Sequence, residues 1–373
     1  MFCGSPLRLT FVDLGMSPLC ESYVSHEQLN QMEPFYPLHV YVCETCFLVQ
    51  FHEYVSPEDI FSEYAYFSSY SDSWVQHMGR YADMIVERLG LGAKSFVVEV
   101  ASNDGYLLQY FVAKGIPVLG IEPAANIAKV AVEKGVPTLV EFFGERLARR
   151  LAGEGKQADL IAGANVLVQV PDVNDFVKGF KILLKSRGVL TIEFPHLMRL
   201  IDENQFDTIY HEHFSYFSFL AAERIFAAHG ITLFDVEEIP THGGSLRIYG
   251  CHTDAYPVGP RVKELRAREE RAGFNRMERY STFTEQVKET KRKLLEFLIQ
   301  AKREGKSIAG YGAPGKGNTL LNYCGIRTDF IDYTVHPRHP GDDGQDMQHL
   351  DPEIKIAHLA VSPRRKSSIS STC

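Results

Sequence analysis

Phe96-Val-Val-Glu99-Val-Ala-Ser-Asn-Asp104-Gly105 is an apolar, β-branched run that breaks into an acidic turn. The run Phe96–Val100 reads as a buried strand, and a helix is expected to open at Tyr106. Such a strand–loop–helix turn lies at the carboxyl end of an open α/β sheet, where ligands bind. The next strand, Pro117–Ile121, ends in Glu122 followed by Pro123. A carboxylate at the tip of the second strand, about 20 residues on, accepts hydrogen bonds from both hydroxyls of a ribose. NAD and S-adenosylmethionine both meet that requirement, and the loop separates them. A dinucleotide needs a G-x-G-x-x-G turn whose backbone N–H groups reach the pyrophosphate. Here Glu99 and Asp104 stand instead, and they suit the sulfonium and ammonium of S-adenosylmethionine. That cofactor is therefore expected on Glu99–Gly105, with Glu99 organising the loop and reaching the ammonium through backbone or water contacts. If the acidic residues only capped the helix, Glu122 would be left without a purpose.

From this loop the pattern extends in both directions. Strand-like runs at Pro117–Ile121, Asp159–Ala162 and Val189–Phe194 alternate with helical segments up to about Gly250. The rhythm predicts an α/β fold, a Rossmann-like domain whose mainly parallel sheet is covered on both faces. Before it, Val75, Met78, Tyr81 and Ile85 repeat at helical spacing. After it, residues 261–304 read as a charged helical connector with an apolar stripe at Phe283, Val287, Leu294 and Leu298. A second small α/β unit begins at Ser307, and its pattern dissolves after Val335 into an expected unstructured tail. The expected division is 1–60, 61–255, 256–304, 305–335 and 336–373.

Bulk properties narrow the function. The 373 residues carry a formal charge of −8, and a nucleic-acid binder would normally show a basic excess. The sequence shows no signal-peptide pattern and no apolar run of membrane-spanning length, so a cytoplasmic chain without membrane partners is expected. Of the seven cysteines, Cys3, Cys20, Cys43 and Cys46 crowd the start, and such clustering in a reducing compartment suggests metal rather than disulfides.

Two further segments carry chemistry. Tyr210-His211-Glu212-His213 packs four titratable groups into one turn. Histidine is the best-matched base near neutral pH, a neighbouring carboxylate orients its ring, and a tyrosine hydroxyl donates to a developing enolate oxygen. Thr241-His242-Gly243-Gly244-Ser245-Leu246-Arg247 reads as a tight turn entering a strand. Its glycines permit close backbone approach, and Arg247 is expected to pair with a phosphate. A hairpin turn with a surface arginine would look the same.

The order of the cysteine pair, the acidic-loop domain, TIYHEHFSYFS, THGGSLR and GYGAPGKGN resembles the sugar-nucleotide C-methyltransferases over roughly residues 1–335. The resemblance implies a small N-terminal zinc-binding domain, an S-adenosylmethionine-binding methyltransferase domain and a C-terminal Rossmann-like unit, truncated here. It implies a nucleotide-linked keto-deoxysugar as substrate, typified by a dTDP-linked 4-keto sugar methylated at carbon. It assigns catalysis to His213, Glu212 and Tyr210. It places Tyr66, Ser68 and Ser69 over the cofactor as a lid, with Ala101, Asn103, Gly105, Pro123 and Asn165 joining Glu99 and Glu122 around it. Gln169, His196, His242, Gly243, Gly244 and Arg247 would meet the substrate, and Cys3, Cys43 and Cys46 would hold a structural Zn²⁺.

The sequence departs from the family at four places. Three thiolates are one short of a closed tetrahedral zinc site, and a residue before the present start or His52 is expected to complete it. Ala101 stands where glycine is common, at little cost unless the backbone there needs a positive φ. Gln169 stands where many relatives have histidine, and an amide cannot exchange protons at neutral pH. Gly310-Tyr-Gly-Ala-Pro-Gly-Lys316-Gly-Asn318 resembles a phosphate cradle but lacks the P-loop's Ser or Thr after lysine. These departures leave open an O- or N-methyltransferase on a sugar or small metabolite, and a non-catalytic protein that binds cofactor or sugar nucleotide. An NAD-dependent dehydrogenase built on the glycine-rich loop is the remotest alternative.

Overall fold

The computed structural model describes residues 2–19, 25–28, 30–311, 315–335 and 358–362. They fall into two compact units. The first comprises Met1–Phe11, Val40–Glu203 and Glu212–Ser281; the second comprises Val12–His39, Asn204–His211 and Thr282–Cys373. Val12–His39, expected with the N-terminal zinc-binding domain, thus groups with the C-terminal part of the chain. The chain changes unit within strand β1 (Leu9–Ser17) and again within β2 (Tyr36–Val42).

In the first unit, the end of β2 pairs antiparallel with β3 (Val49–Phe51). Helix α1 (Pro57–Phe61) follows, then α2 (Asp72–Leu89), which starts where the Ser71 hydroxyl accepts from the Trp74 amide and ends at left-handed Gly90. The apolar residues predicted to share a face, Met78, Tyr81 and Ile85, are buried. Next come β4 (Val97–Val100), α3 (Leu108–Ala113), β5 (Val118–Ile121), α4 (Ala125–Glu133), β6 (Thr138–Leu139) and α5 (Glu145–Gly153). They lead to β7 (Ala158–Ala164), α6 (Val173–Leu183), β8 (Leu184–Pro195) and α7 (Leu197–Asp202). Strand β9 (Ser215–Tyr216) joins β3, and α8 (Phe219–Ala228), β10 (Ile231–Ile239), β11 (Ser245–His252), α9 (Pro260–Arg271) and α10 (Glu278–Ser281) complete the unit.

Seven strands form one sheet in the order β10-β11-β8-β7-β4-β5-β6. Strands β4 to β8 pair in parallel, while β11 is antiparallel to both β8 and β10. Alternate residues along a strand enter different cores: Val97, Val118, Leu160 and Val189 on one face, Val98, Leu119, Ile161 and Leu190 on the other. Burial on both faces explains why these strands read as unbroken apolar runs rather than alternating ones.

In the second unit, α11 (Phe283–Arg303) buries Phe283, Val287 and Leu298 of the predicted stripe. Strand β12 (Ser307–Tyr311), α12 (Gly315–Cys324) and β13 (Tyr333–Val335) follow, with β13 parallel to β12. The expected tail contributes β14 (His358–Ser362), antiparallel to β12. Five residues, HLAVS, are too few to show a period, but they offer backbone groups to an otherwise open strand edge. The rest of that tail, and Gly312–Pro314 of the glycine-rich loop, lie outside the described residues. Among the described residues no helix is long and apolar enough to cross a membrane.

Candidate active site and metal centre

The turn after β4 is built from residues in left-handed backbone: Ala101 at φ +57°, Asn103 at +46° and Gly105 at +78°. At Ala101 the positive φ that would disfavour alanine is present. A Cβ on Gly105 would come within 3.0 Å of Val136, so that position admits only glycine without rearrangement. The curl aims the Asn103 amide at Glu122 Oε2, 2.9 Å away, while the Ala124 amide donates to Oε1 at 2.9 Å. Burial pushes the Glu122 carboxyl up to about 7, against the lowering effect of those two amides.

Glu99 is fully buried, and both its oxygens lie outside good hydrogen-bond geometry with any protein donor. Burial, reinforced by the charges of Glu122 and Asp104, drives its carboxyl far above the usual range, and the Tyr106 hydroxyl opposes the rise. Asp104 is buried too: Oδ2 takes Lys134 Nζ at 3.0 Å, and Oδ1 has no partner. Ser102 Oγ and Asn165 Oδ1 are likewise buried without partners. Buried acceptors are normally satisfied. This set awaits a group that brings donors and positive charge, which fits S-adenosylmethionine and repels pyrophosphate.

Residues 64–69 lie along that loop. The Ser68 amide donates to Asn103 Oδ1 at 2.8 Å, Asn103 Nδ2 donates to the Tyr66 carbonyl at 3.1 Å, and Lys134 Nζ reaches Ser69 Oγ at 2.9 Å. Asn126 holds Tyr64 by its backbone, donating to the carbonyl at 2.8 Å and accepting from the amide at 3.3 Å. The Tyr64 hydroxyl then donates to Glu212 Oε2 at 2.8 Å. Tyr64 was missed as a functional residue in the sequence. It stands in a tyrosine-rich stretch, but nothing local points to a carboxylate 148 positions away.

The Tyr210–His213 run divides between the two units. Glu212 and His213 are buried in the first unit. Tyr210 and His211 belong to the second, where His211 lies 3.3 Å from the Pro37 carbonyl and edge-on to Tyr36. Burial lowers the His211 pKa, favouring the neutral ring.

Two residues expected to meet substrate are engaged elsewhere. Arg247 is 5% exposed and serves buried carboxylates: Nη2 is 2.5 Å from Glu193 Oε1, and Nη1 is 3.0 Å from Glu237 Oε2. Its guanidinium lies 4.6 Å over the Tyr81 ring. These partners come from β8, β10 and α2 and face inward, so the charge is spent inside the fold rather than on a phosphate. His196 is also buried, with Nε2 2.6 Å from Glu269 Oε1, and Glu269 accepts the Phe219 and Leu220 amides at the start of α8. That pairing is a buried helix cap. His242 is exposed at φ +53°, between Gly243 at +82° and Gly244 at +112°. A Cβ on Gly244 would strike the Arg199 side chain at 2.8 Å. Gln169 is half-buried in the short turn Leu167–Gln169 that follows β7.

Cys3, Cys43 and Cys46 bring their sulfurs within 4.8 Å of one another, with Cys3 and Cys43 3.4 Å apart. The turn that presents them closes through hydrogen bonds from the Phe47 amide to the Cys43 carbonyl and from the Cys43 amide to the Leu48 carbonyl. Zn–S bonds of about 2.3 Å at tetrahedral angles require sulfurs about 3.8 Å apart, so the three thiols fit a zinc ion. His52 is not among them; its ring packs edge-on against Tyr41 and Tyr54. In the second unit, burial raises the pKa of Asp207, and the charge of Lys316 in the glycine-rich loop opposes the rise.

Comparisons with known proteins bear on each part. Residues 1–61 match a zinc binding domain, residues 74–236 a methyltransferase domain, and residues 240–347 a C-methyltransferase C-terminal domain. The chain is 35% identical over 325 residues to the C-methyltransferase NovU of Streptomyces niveus, covering 87% of this chain and 77% of that protein. Solved structures that align with it include a magnesium protoporphyrin IX methyltransferase from Synechocystis, at 15% identity and a TM-score of 0.36 over 49% of this chain and 82% of that one. Another is an S-adenosylmethionine-dependent methyltransferase from Clostridium acetobutylicum, at 9% identity and 0.39 over 48% and 92%.

Proposed function

This chain belongs to the C-methyltransferase family, and from that premise we propose that it methylates the carbon beside the ketone of a nucleotide-linked deoxysugar, with His213 as the base. It is an S-adenosylmethionine-dependent methyltransferase that carries zinc. When bound, S-adenosylmethionine supplies an electrophilic methyl group. Glu99, Ala101, Asn103, Gly105, Glu122, Pro123 and Asn165 are the residues that would hold it, with Tyr66, Ser68 and Ser69 above.

Carbon becomes nucleophilic only once a proton leaves the position beside the carbonyl. His213 takes that proton, and Glu212 stabilises the imidazolium that results. The Tyr64 hydroxyl fixes the Glu212 carboxylate at 2.8 Å. This contact is the observation that carries the reading: the segment that touches Glu212 also hydrogen-bonds to Asn103, so one short stretch ties the cofactor loop to the base's partner. Its Tyr66–Ser69 backbone shields the loop from water and helps hold the reacting groups in register. Tyr210 is proposed to donate to the enolate oxygen, on the resemblance alone. The domain roles proposed are zinc binding at the N-terminus, methyl transfer in the seven-stranded sheet, and a Rossmann-like unit after α11.

Hydrogen–deuterium exchange beside the ketone tests the assignment. In heavy water with a dTDP-linked 4-keto-6-deoxyhexose, the native chain exchanges that hydrogen without methyl donor. Replacing His213 with asparagine should slow exchange about 10²–10⁴-fold while cofactor binding persists. Undiminished exchange in H213N would remove His213 from the base's role.

A further inference from the structure

The chain's single tryptophan has no part in the chemistry above, yet it stands beside it. Trp74 lies in the first turn of α2 and is only partly buried. Its ring stacks on His77 at 5.3 Å and 23°, and lies 6.1 Å from Tyr106 and 5.3 Å from His242. Behind it, His77 Nε2 sits 3.1 Å from Glu193 Oε2 and 3.3 Å from Arg247 Nη2. The indole is therefore braced by an imidazole anchored to a buried ion pair. Tyr106 leads out of the cofactor loop beside Glu99, and His242 belongs to the turn between β10 and β11. Trp74 thus stands between the cofactor loop and that turn, at the ligand-binding edge of the sheet.

Two features show that this is more than packing. His242 holds a left-handed backbone, which disfavours a non-glycine residue, and such strain persists where the surroundings enforce it, often at ligand sites. In the same turn, Thr241 Oγ1 is buried with no hydrogen-bond partner. A ligand that settles here meets an aromatic face and an imidazole. Sugar rings match that combination. Their C–H bonds beside oxygen carry partial positive charge and are attracted to the negative face of an aromatic ring, while their hydroxyls satisfy polar atoms at the rim.

We propose that Trp74 is the specificity-determining wall of the acceptor subsite: the C–H face of the acceptor sugar packs on the indole, with His242 at its polar edge. The proposal rests on the sugar-nucleotide reading above. Arg247 then contributes to acceptor recognition by bracing the wall from inside rather than by holding phosphate.

Because Trp74 is the chain's only tryptophan, its fluorescence reports on this contact directly. The zinc-loaded full-length chain, saturated with S-adenosylhomocysteine, is titrated with a dTDP-linked 4-keto-6-deoxyhexose and in parallel with dTDP, each also followed by calorimetry. The sugar nucleotide should quench or shift the emission, and dTDP should bind without doing so. W74L should raise KM for the acceptor about tenfold, equivalent to about 1.4 kcal/mol, with S-adenosylhomocysteine affinity within about twofold, and W74F should recover most of the loss. Calorimetric binding of the sugar nucleotide with unchanged emission, an unaltered KM in W74L, or a full response to dTDP alone would each overturn the wall while leaving the sugar-nucleotide reading in place. If neither nucleotide binds by calorimetry, the sugar-nucleotide reading fails and the wall fails with it.

Discussion

Two groups of buried charges lie at the same end of the seven-stranded sheet, and they are finished differently. Around Arg247 each charge meets its opposite: Glu193 and Glu237 take the guanidinium, and the Tyr249 hydroxyl donates to Glu237 at 2.8 Å. Arg247 and His77 hold the Glu193 carboxyl below the usual range despite its burial. Around the cofactor loop Lys134 pairs with Asp104, Glu99 has no good donor, and the Glu99 and Glu122 pKa values move up instead of down. The first group is a closed structural network. The second is an incomplete one, and it matches the missing charge and donors of S-adenosylmethionine. At this edge, what separates a binding site from a structural ion network is whether the protein itself satisfies the charges it buries.

Four variants or conditions can break or sharpen that contrast. The largest effect is expected from R247M, which removes the buried guanidinium and leaves Glu193 with His77 alone and Glu237 with the more exposed Arg261. Chemical denaturation should show a loss of about 3–5 kcal/mol, with cofactor affinity of the folded fraction unchanged; a loss below about 1 kcal/mol would mean that the network is not closed. The opposite pattern is expected from E99Q. Removing a buried, poorly satisfied carboxylate should leave the cofactor-free protein as stable or about 1 kcal/mol more stable, while calorimetry shows cofactor Kd rising about tenfold or more. A protein that lost stability and kept its affinity would place Glu99 among the structural charges.

The third test is pH. Burial pushes the Glu122 carboxyl from the usual 4.5 up to about 7 in the folded chain, so between these values the folded state binds the proton more tightly. Stability from this group is therefore lost as pH rises through that window, by about 3 kcal/mol in all. Ribose hydroxyls donate to the ionised form, so cofactor binding should release a proton and tighten about tenfold between pH 6 and 8. E122Q should flatten both profiles, and an unchanged pH dependence in E122Q would assign the titration elsewhere. The smallest effect belongs to A101G. Relief of the left-handed strain at Ala101, partly offset by the extra freedom of glycine when unfolded, should stabilise by about 0.5 kcal/mol; a destabilised A101G would show that the turn is relaxed around alanine.

The parts legible in the sequence were those written locally. Strands β4, β5, β7 and β8 announced themselves as apolar runs because both their faces are buried, and the acidic turn followed by Glu122 needed only the order of residues. The three thiols were legible from a C-x-x-C pair with one early cysteine. Long-range pairing was not. Arg247 was expected to face a ligand because the sequence shows a cation after glycines; it does not show that Glu193, 54 positions earlier, is its partner on the adjacent strand. His196 was misplaced for the same reason, since Glu269 lies 73 positions away. Tyr64 escaped notice because its worth depends wholly on Glu212. The left-handed backbone at Ala101 runs against that residue's own preference, so composition could not reveal it.

Strand β11 is the last strand of the seven-stranded sheet along the chain but not the last in space, because it lies between β8 and β10. Strands β4 to β8 can assemble as soon as they are made, whereas β10 has no partner until β11 arrives. Pairing β10 with β11 is a local step, whereas pairing β11 with β8 is a non-local one and intrinsically slower. Only on docking does Arg247 of β11 meet Glu193 of β8. During synthesis, the strands that carry the cofactor loop are therefore complete while the β8 edge is still exposed, and His77, stacked on Trp74, meets Arg247 only once β11 has docked.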